Sequence, residues 1–236
     1  MQVEIPRLLK QFGSRVALDL GDLTISDGET FGLVGSNGAG KTTFLRLVLD
    51  LLRASDGSVS IDGHLASESM DWKSKTGSFL DRGFLIEFLT ADEYFRFVGN
   101  SYGFSARESA EALKPYQAFY PDEVFGETRL YIREMSMGNA KKIGLIAAMF
   151  TAPRLLVLDE PFANLDPRSQ IRLKSYIRTL NEKLGTTVIV SSHDLMHVTD
   201  VCRRIAILEN GRIVRDLNTS EGTLIDLQRY FSAEAV

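Results

Sequence analysis

Several residue types and patterns are scarce in this sequence of 236 residues, which contains one cysteine, one tryptophan and six prolines. A single cysteine, Cys202, excludes an internal disulfide and a zinc site built on several cysteines, which suits a reducing compartment. No apolar run approaches the ~18–20 residues that a membrane-spanning helix needs. The first residues also lack the apolar stretch of a signal peptide. We therefore expect a soluble, intracellular protein.

Neither sign of charge dominates the chain. Lys and Arg together number 27, Asp and Glu number 31, and the net charge is −4. This balance gives no support to nucleic-acid binding through bulk positive charge, so no nucleic-acid partner is expected. Hydrophobic residues make up 44% and charged residues 25%, which is typical of soluble globular proteins and excludes disordered and low-complexity classes.

Strand-like and helix-like segments alternate along most of the chain. The predicted strands are Val3–Leu9, Val16–Ile25 with a turn at Gly21-Asp22, Glu29–Val34, Ser58–Ile61, Arg154–Glu160, Thr187–Ser192, Arg204–Glu209 and Arg212–Asp216. The predicted helices are Thr42–Leu52, Pro167–Leu184 and Leu195–Cys202, and Thr90–Phe150 is mostly helical from a capping box at Thr90 and Glu93 onwards. Buried strands alternating with helices indicate an α/β core with a largely parallel sheet, into which the helical stretch is inserted.

One glycine-rich segment predicts a phosphate-binding loop, because it fits G-x-x-x-x-G-K-[ST] and lies between a strand and a helix. Its residues are Gly35, Ser36, Asn37, Gly38, Ala39, Gly40, Lys41 and Thr42, and Thr43 is included in the predicted nucleotide-binding set. Backbone N–H groups of such a loop point at phosphate oxygens. Lys41 is expected to bridge the β- and γ-phosphates as a catalytic cation, and the Thr42 hydroxyl to ligate Mg²⁺.

Two acids end the strand that begins at Arg154. In an open parallel sheet the carboxyl end of this strand faces the phosphate site. Asp159 is therefore a predicted Mg²⁺ ligand, and Glu160 is predicted to polarise the water that attacks the γ-phosphorus. The alternative is that the strand simply turns polar as it reaches solvent.

His193 follows the next predicted strand, at the same edge of the sheet. It is predicted to donate to the γ-phosphate as a further catalytic residue. A competing interpretation is zinc, because His193-Asp194-Leu195-Met196-His197 is one carboxylate away from H-E-x-x-H. That motif needs both histidines in one helix and a third ligand, which the sequence does not provide.

These motifs, in this order, resemble the ATP-binding subunit of ABC transporters, over about residues 1 to 216. The family's D-loop corresponds to Ala163–Asp166, and its signature to Met135–Asn139, which opens a helix at Ala140–Phe150. Phe12 matches the aromatic residue that stacks on adenine. The resemblance implies a P-loop NTPase (RecA-like) α/β core with a mostly parallel sheet, an N-terminal antiparallel β part and an inserted α-helical subdomain.

The resemblance also implies how the chain is divided and how it works. The division is one ABC domain, with a catalytic core at 1–84 and 151–216, a helical signature subdomain at 85–150 and a helical tail at 217–236. Two subunits, identical or different, would pair head to tail around ATP and Mg²⁺. Ser136 and the N–H groups near Gly138 of one subunit would then close on the γ-phosphate of the ATP that the other subunit's loop holds. Asp166 is also predicted to bind the nucleotide. Hydrolysis would drive separate integral membrane permease subunits, with this chain cytoplasmic and peripheral on the inner face of the cell membrane.

Two residues depart from the family pattern. Met137 stands where the common signature has glycine, and a methionine adopts left-handed backbone angles only at a cost of ~1–2 kcal/mol. Many exporter-type relatives carry a bulky apolar residue there, so the resemblance favours the exporter-like branch. Asp81 stands where a longer Gln or Glu would reach Mg²⁺ and the attacking water, and it is predicted either as a metal ligand or as an ordinary solvated acid.

The segment from Gly83 to Leu89 is almost entirely apolar. It is predicted either to be buried where the core meets the helical insertion, or to line a cleft that receives a short helix of the permease.

Three alternatives compete with a transporter subunit. A soluble ABC ATPase of DNA repair or chromosome organisation would carry long coiled coils between the P-loop and the signature, and no sustained heptads occur there. Translation-factor relatives carry two cassettes in one chain, and this sequence has one. A non-hydrolysing, ATP-gated interaction module is suggested by Met137 and Asp81, but the presence of Glu160 and His193 argues against it.

Overall fold

The computed structural model describes residues 1–121 and 130–233. The strands are β1 (Val3–Phe12), β2 (Arg15–Leu20), β3 (Leu23–Ile25), β4 (Thr30–Val34), β5 (Asp56–Ile61), β6 (His64–Leu65), β7 (Thr76–Phe79), β8 (Leu155–Asp159), β9 (Thr187–Ser192), β10 (Arg204–Glu209) and β11 (Arg212–Asn218). The helices are α1 (Lys41–Val48), α2 (Ala91–Ser101), α3 (Ala106–Leu113), α4 (Met137–Met149), α5 (Pro167–Leu184), α6 (Leu195–Val201) and α7 (Thr223–Ala233). Residues 122–129 of the predicted helical subdomain and 234–236 of the predicted tail lie outside the described residues.

Within the described residues, the strands form two sheets. A five-stranded antiparallel sheet has the order β2-β1-β5-β6, with β3 also paired to β1. A six-stranded sheet has the order β11-β10-β4-β9-β8-β7 and is parallel except for the pair β10–β11. The predicted α/β core with a mostly parallel sheet, an N-terminal antiparallel β part and a helical insertion is confirmed.

The register of the parallel sheet brings three strand ends to one edge. Val34 at the end of β4 pairs with Ser192 of β9, and Asp159 at the end of β8 pairs with Ser191. All five residues of β4 and all five of β8 are buried, which explains their continuous apolar runs. The loops that leave β4, β8 and β9 therefore meet at this edge.

The helical region begins as predicted. Thr90 caps α2 in a capping box with Glu93, and Ser105 and Glu108 form a second capping box at the start of α3. Among residues 1–121 and 130–233, no helix combines the length and apolar character that crossing a bilayer requires.

The short strand β7, which packs closely against α4, was not predicted from the sequence. A Cβ at Gly77 would lie 1.8 Å from the carbonyl oxygen of Ala148, and a Cβ at Gly144 would lie 2.2 Å from the ring of Phe79. Each surface thus contributes one glycine to the contact, so that strand and helix approach more closely than side chains would allow. Thr76-Gly77-Ser78-Phe79 contains one large apolar residue, which is too weak a pattern to predict a strand.

Several predicted boundaries also differ from those in the structure. Helix α1 ends at Val48 and not at Leu52, because Asp50 adopts a left-handed φ of 54° and Leu51 N–H donates to the carbonyl of Arg46 at 2.8 Å. This is a Schellman ending with Asp in the position that usually holds glycine. Strand β11 continues to Asn218, two residues beyond the predicted end, and the tail helix begins at Thr223.

Candidate functional site

A cleft of about 560 Å³ opens at the edge where β4 and β8 end. Its lining includes most of the residues that the glycine-rich motif and the acidic strand end predicted. They are Ser36, Asn37, Gly38, Gly40, Lys41, Thr42, Thr43, Asp159 and Glu160, and Phe12, which the family resemblance implied, also lines the cleft. The strand that leads into the glycine loop and the helix that leaves it are β4 and α1, as the motif requires.

The loop wraps tightly because of its glycines. Gly40 caps α1 with a left-handed φ of 111°, and a Cβ there would lie 2.8 Å from the carbonyl oxygen of Ala17. Only glycine combines this conformation with this closeness. Gly35 and Ala39 lie behind the loop: a Cβ at Gly35 would be 2.3 Å from the carbonyl of Leu208, and Ala39 is buried. They shape the loop and do not line the cleft.

The buried ammonium of Lys41 is held by three oxygen atoms. It donates to the carbonyls of Gly35 at 2.7 Å and Ser36 at 3.3 Å. It also lies 3.2 Å from Oε1 of Glu160. The ammonium is thus coordinated by the loop and by the predicted base, and it would exchange some of these contacts for phosphate oxygens when a nucleotide binds.

Two of the predicted metal ligands lie side by side. The Thr42 hydroxyl donates to Oδ2 of Asp159 at 2.5 Å, and the Ser191 hydroxyl donates to the other carboxylate oxygen. A hydroxyl and a carboxylate are hard oxygen ligands, which Mg²⁺ binds together with water and phosphate oxygens. The pair therefore fits a magnesium ion beside the phosphate loop.

The Glu160 carboxylate faces both Lys41 and His193. His193 Nδ1 lies 2.8 Å from Glu160 Oε2. Glu160 itself adopts a left-handed φ of 46° directly after β8, and its N–H donates to both the carbonyl and the hydroxyl of Ser191. The pairing of β8 with β9 thus brings together Glu160, the predicted base, and His193, the predicted contact of the γ-phosphate, which directly follow these two strands.

The two histidines of the zinc hypothesis have different surroundings. His193 contacts Glu160 before α6 begins, whereas His197 lies within α6 and packs on the Phe162 ring, with 4.7 Å between ring centroids. Within the described part of the chain, no group of three His, Cys, Asp or Glu side chains is placed to hold a metal ion. The contact of His193 with the γ-phosphate stays a prediction.

The sequence profile of the family "ABC transporter" matches residues 18–163 of the chain.

The chain belongs to the ABC transporter family.

Several relatives of this ABC transporter chain match nearly all of it. YhaQ of Bacillus subtilis, an uncharacterized ABC transporter ATP-binding protein, is 32% identical over 98% of this chain and 74% of its own length. The bacitracin transport ATP-binding protein BcrA of Enterococcus faecalis is 30% identical over 93% of this chain and 70% of its own. A solved ATP-binding subunit of an ABC transporter superposes with a TM-score of 0.83 at 26% identity, over 98% of this chain and 94% of that one. A dimeric ATP-binding cassette bound to ADP and Pi shares the fold, with a TM-score of 0.79 at 23% identity over 92% and 99%.

The ABC signature lies outside the cleft of its own chain. Ser136 caps α4 by accepting from the N–H of Asn139 at 3.2 Å, and a Cβ at Gly138 would lie 2.8 Å from the carbonyl of Asn164. Met137 is the first residue of α4, is 61% exposed and does not have a positive φ. The expected cost of a left-handed methionine therefore does not arise, because this backbone is helical.

Asp166 of the D-loop faces the signature helix and not the cleft. Its carboxylate accepts from the hydroxyl of Ser169 at 2.5 Å and from the N–H of Ser169 at 3.0 Å, capping α5. Lys142 lies 3.2 Å away. The hydrogen bonds from Ser169, helped by Lys142, lower the pKa of Asp166. The residue is thus ionised and fixed between α4 and α5.

Asp81 has partners of its own. It accepts from the N–H of Gly83 at 2.7 Å and pairs with Arg46 of α1 at 3.4 Å. The described residues that line the cleft do not include Asp81. Its metal role stays a prediction.

One side of the cleft was not predicted from the sequence. It is lined by Arg15, Val16, Ala17, Asn210 and Gly211. In the turn between β10 and β11, the N–H of Gly211 donates to the carbonyl of Ala39 at 2.9 Å and so supports the phosphate loop. These residues reach the site through the order of strands, and no local motif marks them.

Proposed function

We propose that this chain binds ATP with Mg²⁺ and hydrolyses it to ADP and phosphate. The observation that carries the proposal is the meeting of two contact groups at one sheet edge. Lys41, Glu160 and His193 form the first group, and Thr42 and Asp159 form the second, which the Ser191 hydroxyl joins to the first. The test is phosphate release by the purified chain with ATP and Mg²⁺, which should stop when the metal is chelated. Absence of release at any protein concentration would contradict it.

Each side chain has a proposed task in that reaction. The loop N–H groups and Lys41 bind the phosphates, and Phe12, which is 52% exposed at the cleft, stacks on the base. Thr42 and Asp159 hold Mg²⁺, whose positive charge offsets the charge of the phosphates. Glu160 accepts the proton of the attacking water, and His193 orients Glu160 and contacts the γ-phosphate.

We also propose that two chains enclose ATP between them. In one chain Ser136 is exposed and Gly138 is half-buried, and neither residue lines the cleft, so neither would contact a nucleotide bound there. A helix N-terminus binds anions well, and a second chain would place it over the first chain's γ-phosphate. A solved cassette with this fold is dimeric, which supports the same arrangement.

The proposed partner outside the dimer is an integral membrane permease, with this chain peripheral on the inner face of the membrane. The proposed division keeps 1–84 and 151–216 as the ATPase core, 85–150 as the helical signature subdomain and 217–236 as the tail. Relatives are named for transport of bacitracin and export of Nod factor, and others for import of methionine. The proposed direction, export, therefore rests on the bulky apolar Met137.

The segment 83–89 combines both predicted environments. Leu85 is buried in the core, whereas Phe84 is 49% and Phe88 66% exposed. Two exposed aromatic side chains within one short segment suit an amphipathic helix that docks from outside. We propose that these two rings receive a cytoplasmic helix of the permease.

Replacing Phe88 with glutamate should leave the isolated chain folded and able to bind ATP, because the ring is mostly in solvent. It should abolish co-purification with the permease, since a charge would be buried in the contact. Met70→Glu is the matched control, because Met70 is 69% exposed elsewhere on the surface. Loss of cooperative unfolding in Phe88→Glu would identify the ring as part of the core and contradict the docking proposal.

Lengthening Asp81 to glutamate tests its predicted metal role. We expect hydrolysis to stay the same or rise a few-fold, because the longer side chain reaches further from its loop. Loss of the cap on Gly83 should destabilise the chain by about 0.5–2 kcal/mol, visible as a lower Tm. A tenfold or larger fall in the hydrolysis rate would show instead that the shorter carboxylate already acts on the metal.

A further inference from the structure

Lys141 joins the signature helix to the turn that carries Glu160. It lies in the second turn of α4, and its half-buried ammonium donates to the carbonyl of Glu160 at 2.7 Å and to the carbonyl of Ala163 at 2.8 Å. The family motifs named above assign it no task. It differs from its neighbour Lys142, which pairs with the side chain of Asp166.

The turn that Lys141 holds is strained. Glu160 has a left-handed φ of 46°, which residues other than glycine rarely adopt. The hydrogen bond that closes the turn, from Ala163 N–H to the Glu160 carbonyl, is long at 3.3 Å. The Lys141 ammonium therefore binds both ends of this turn, whose backbone hydrogen bond is weak.

The surroundings favour a charged lysine that stays in place. Burial lowers the pKa of Lys141, while the carboxylates of Glu160 and Asp159 oppose this shift. An ammonium removed from water needs good acceptors, and the two carbonyls provide them at short distance.

We propose that Lys141 is a positioning residue for ATP hydrolysis, which fixes the backbone turn at 160–163 and attaches it to the signature helix. The inference rests on the proposed ATPase function. The Glu160 carboxylate can accept a proton only from a water in line with the γ-phosphate, so its backbone must be held. Because the same helix begins at the signature, a shift of α4 would also shift the base.

The experiment compares Lys141→Met with the unaltered chain. Methionine keeps the length and removes the donors, so kcat should fall ~10–100-fold, as expected for a misplaced base, while the calorimetric Kd for ATP stays within about twofold. Lys141→Arg, which keeps N–H donors, should recover part of kcat. Lys73→Met is the matched control. It also removes a lysine from an ion pair, in which the ammonium lies 3.2 Å from Asp50, but this pair does not line the cleft.

The outcomes separate the inference from the function beneath it. An unaltered chain that releases no phosphate would overturn the proposed ATPase and this inference with it. A working ATPase in which Lys141→Met keeps the normal kcat, or loses only ATP affinity, would overturn the inference alone. If Lys141→Met does not fold, Lys141→Arg is compared with Lys141→Gln. The arginine variant should have the higher kcat, because glutamine is shorter and neutral, and equal kcat values would overturn the inference.

Discussion

Replacing Glu160 with glutamine should lower the rate of ATP hydrolysis by ~10²–10⁴-fold, the usual contribution of a positioned general base. Glutamine has nearly the same shape and can still accept from His193, but it cannot take a proton from water. The strand end and the turn should be undisturbed, because the N–H of Glu160 and not its side chain bonds to Ser191. Phosphate release under saturating ATP is the measurement.

The same variant should bind ATP as tightly as the unaltered chain or more tightly. In the structure Lys41 lies 3.2 Å from the Glu160 carboxylate, and this contact competes with phosphate. Removing the negative charge frees the ammonium and also removes repulsion towards the γ-phosphate. With binding retained and hydrolysis blocked, ATP should hold two chains together, which light scattering would detect as a doubled mass.

Glu182→Gln is the control for this experiment, because Glu182 is an exposed acid near the end of α5. It should hydrolyse ATP at the normal rate. If Glu160→Gln did so as well, Glu160 would not be the base, and the water would have to be activated by another group.

Replacing Lys41 with alanine should abolish tight ATP binding. The ammonium is held by the carbonyls of the phosphate loop and points into the cleft that would receive the β- and γ-phosphates. Its loss also leaves Glu160 without its cationic partner, so an unbalanced carboxylate would face the phosphates. Both effects act in the same direction and oppose the binding of an anion.

Calorimetry with ATP and Mg²⁺ measures the expected loss. The exposed Lys183 provides the control, since Lys183→Ala removes the same charge at the end of α5. An unchanged affinity in Lys41→Ala would refute the assignment of the phosphate loop.

The sequence predicted those parts of the fold that have strong local patterns. Strands β4, β8 and β9 are continuous apolar runs because both faces of the sheet are covered, and the capping box at Thr90 is a local hydrogen-bond pattern. Strand β7 was missed because its existence depends on its partners, β8 and the closely packed α4. The early end of α1 was missed because Asp50 takes a conformation usually left to glycine.

The candidate site divides in the same way. Lys41, Thr42, Asp159 and Glu160 stand in short motifs whose spacing reflects a strand, a loop and a helix. Arg15 and Asn210 reach the cleft only through the pairing of β2 with β1 and of β10 with β4, which no local pattern reveals. The contacts of Asp81 with Gly83 and Arg46 likewise depend on tertiary structure.

The close contact between β7 and α4 bears on how mechanical force would cross the domain. Gly77 and Gly144 let β7 and α4 pack without a gap between them. The strand and the helix therefore cannot slide past each other and should move as one rigid body. Leu80 to Leu89, with the exposed Phe88, continues directly from β7, and the signature opens α4. A displacement of β7 should therefore be shared by α4 and by Ser136 at its N-terminus, and a bulkier residue at Gly77 should push the two surfaces apart.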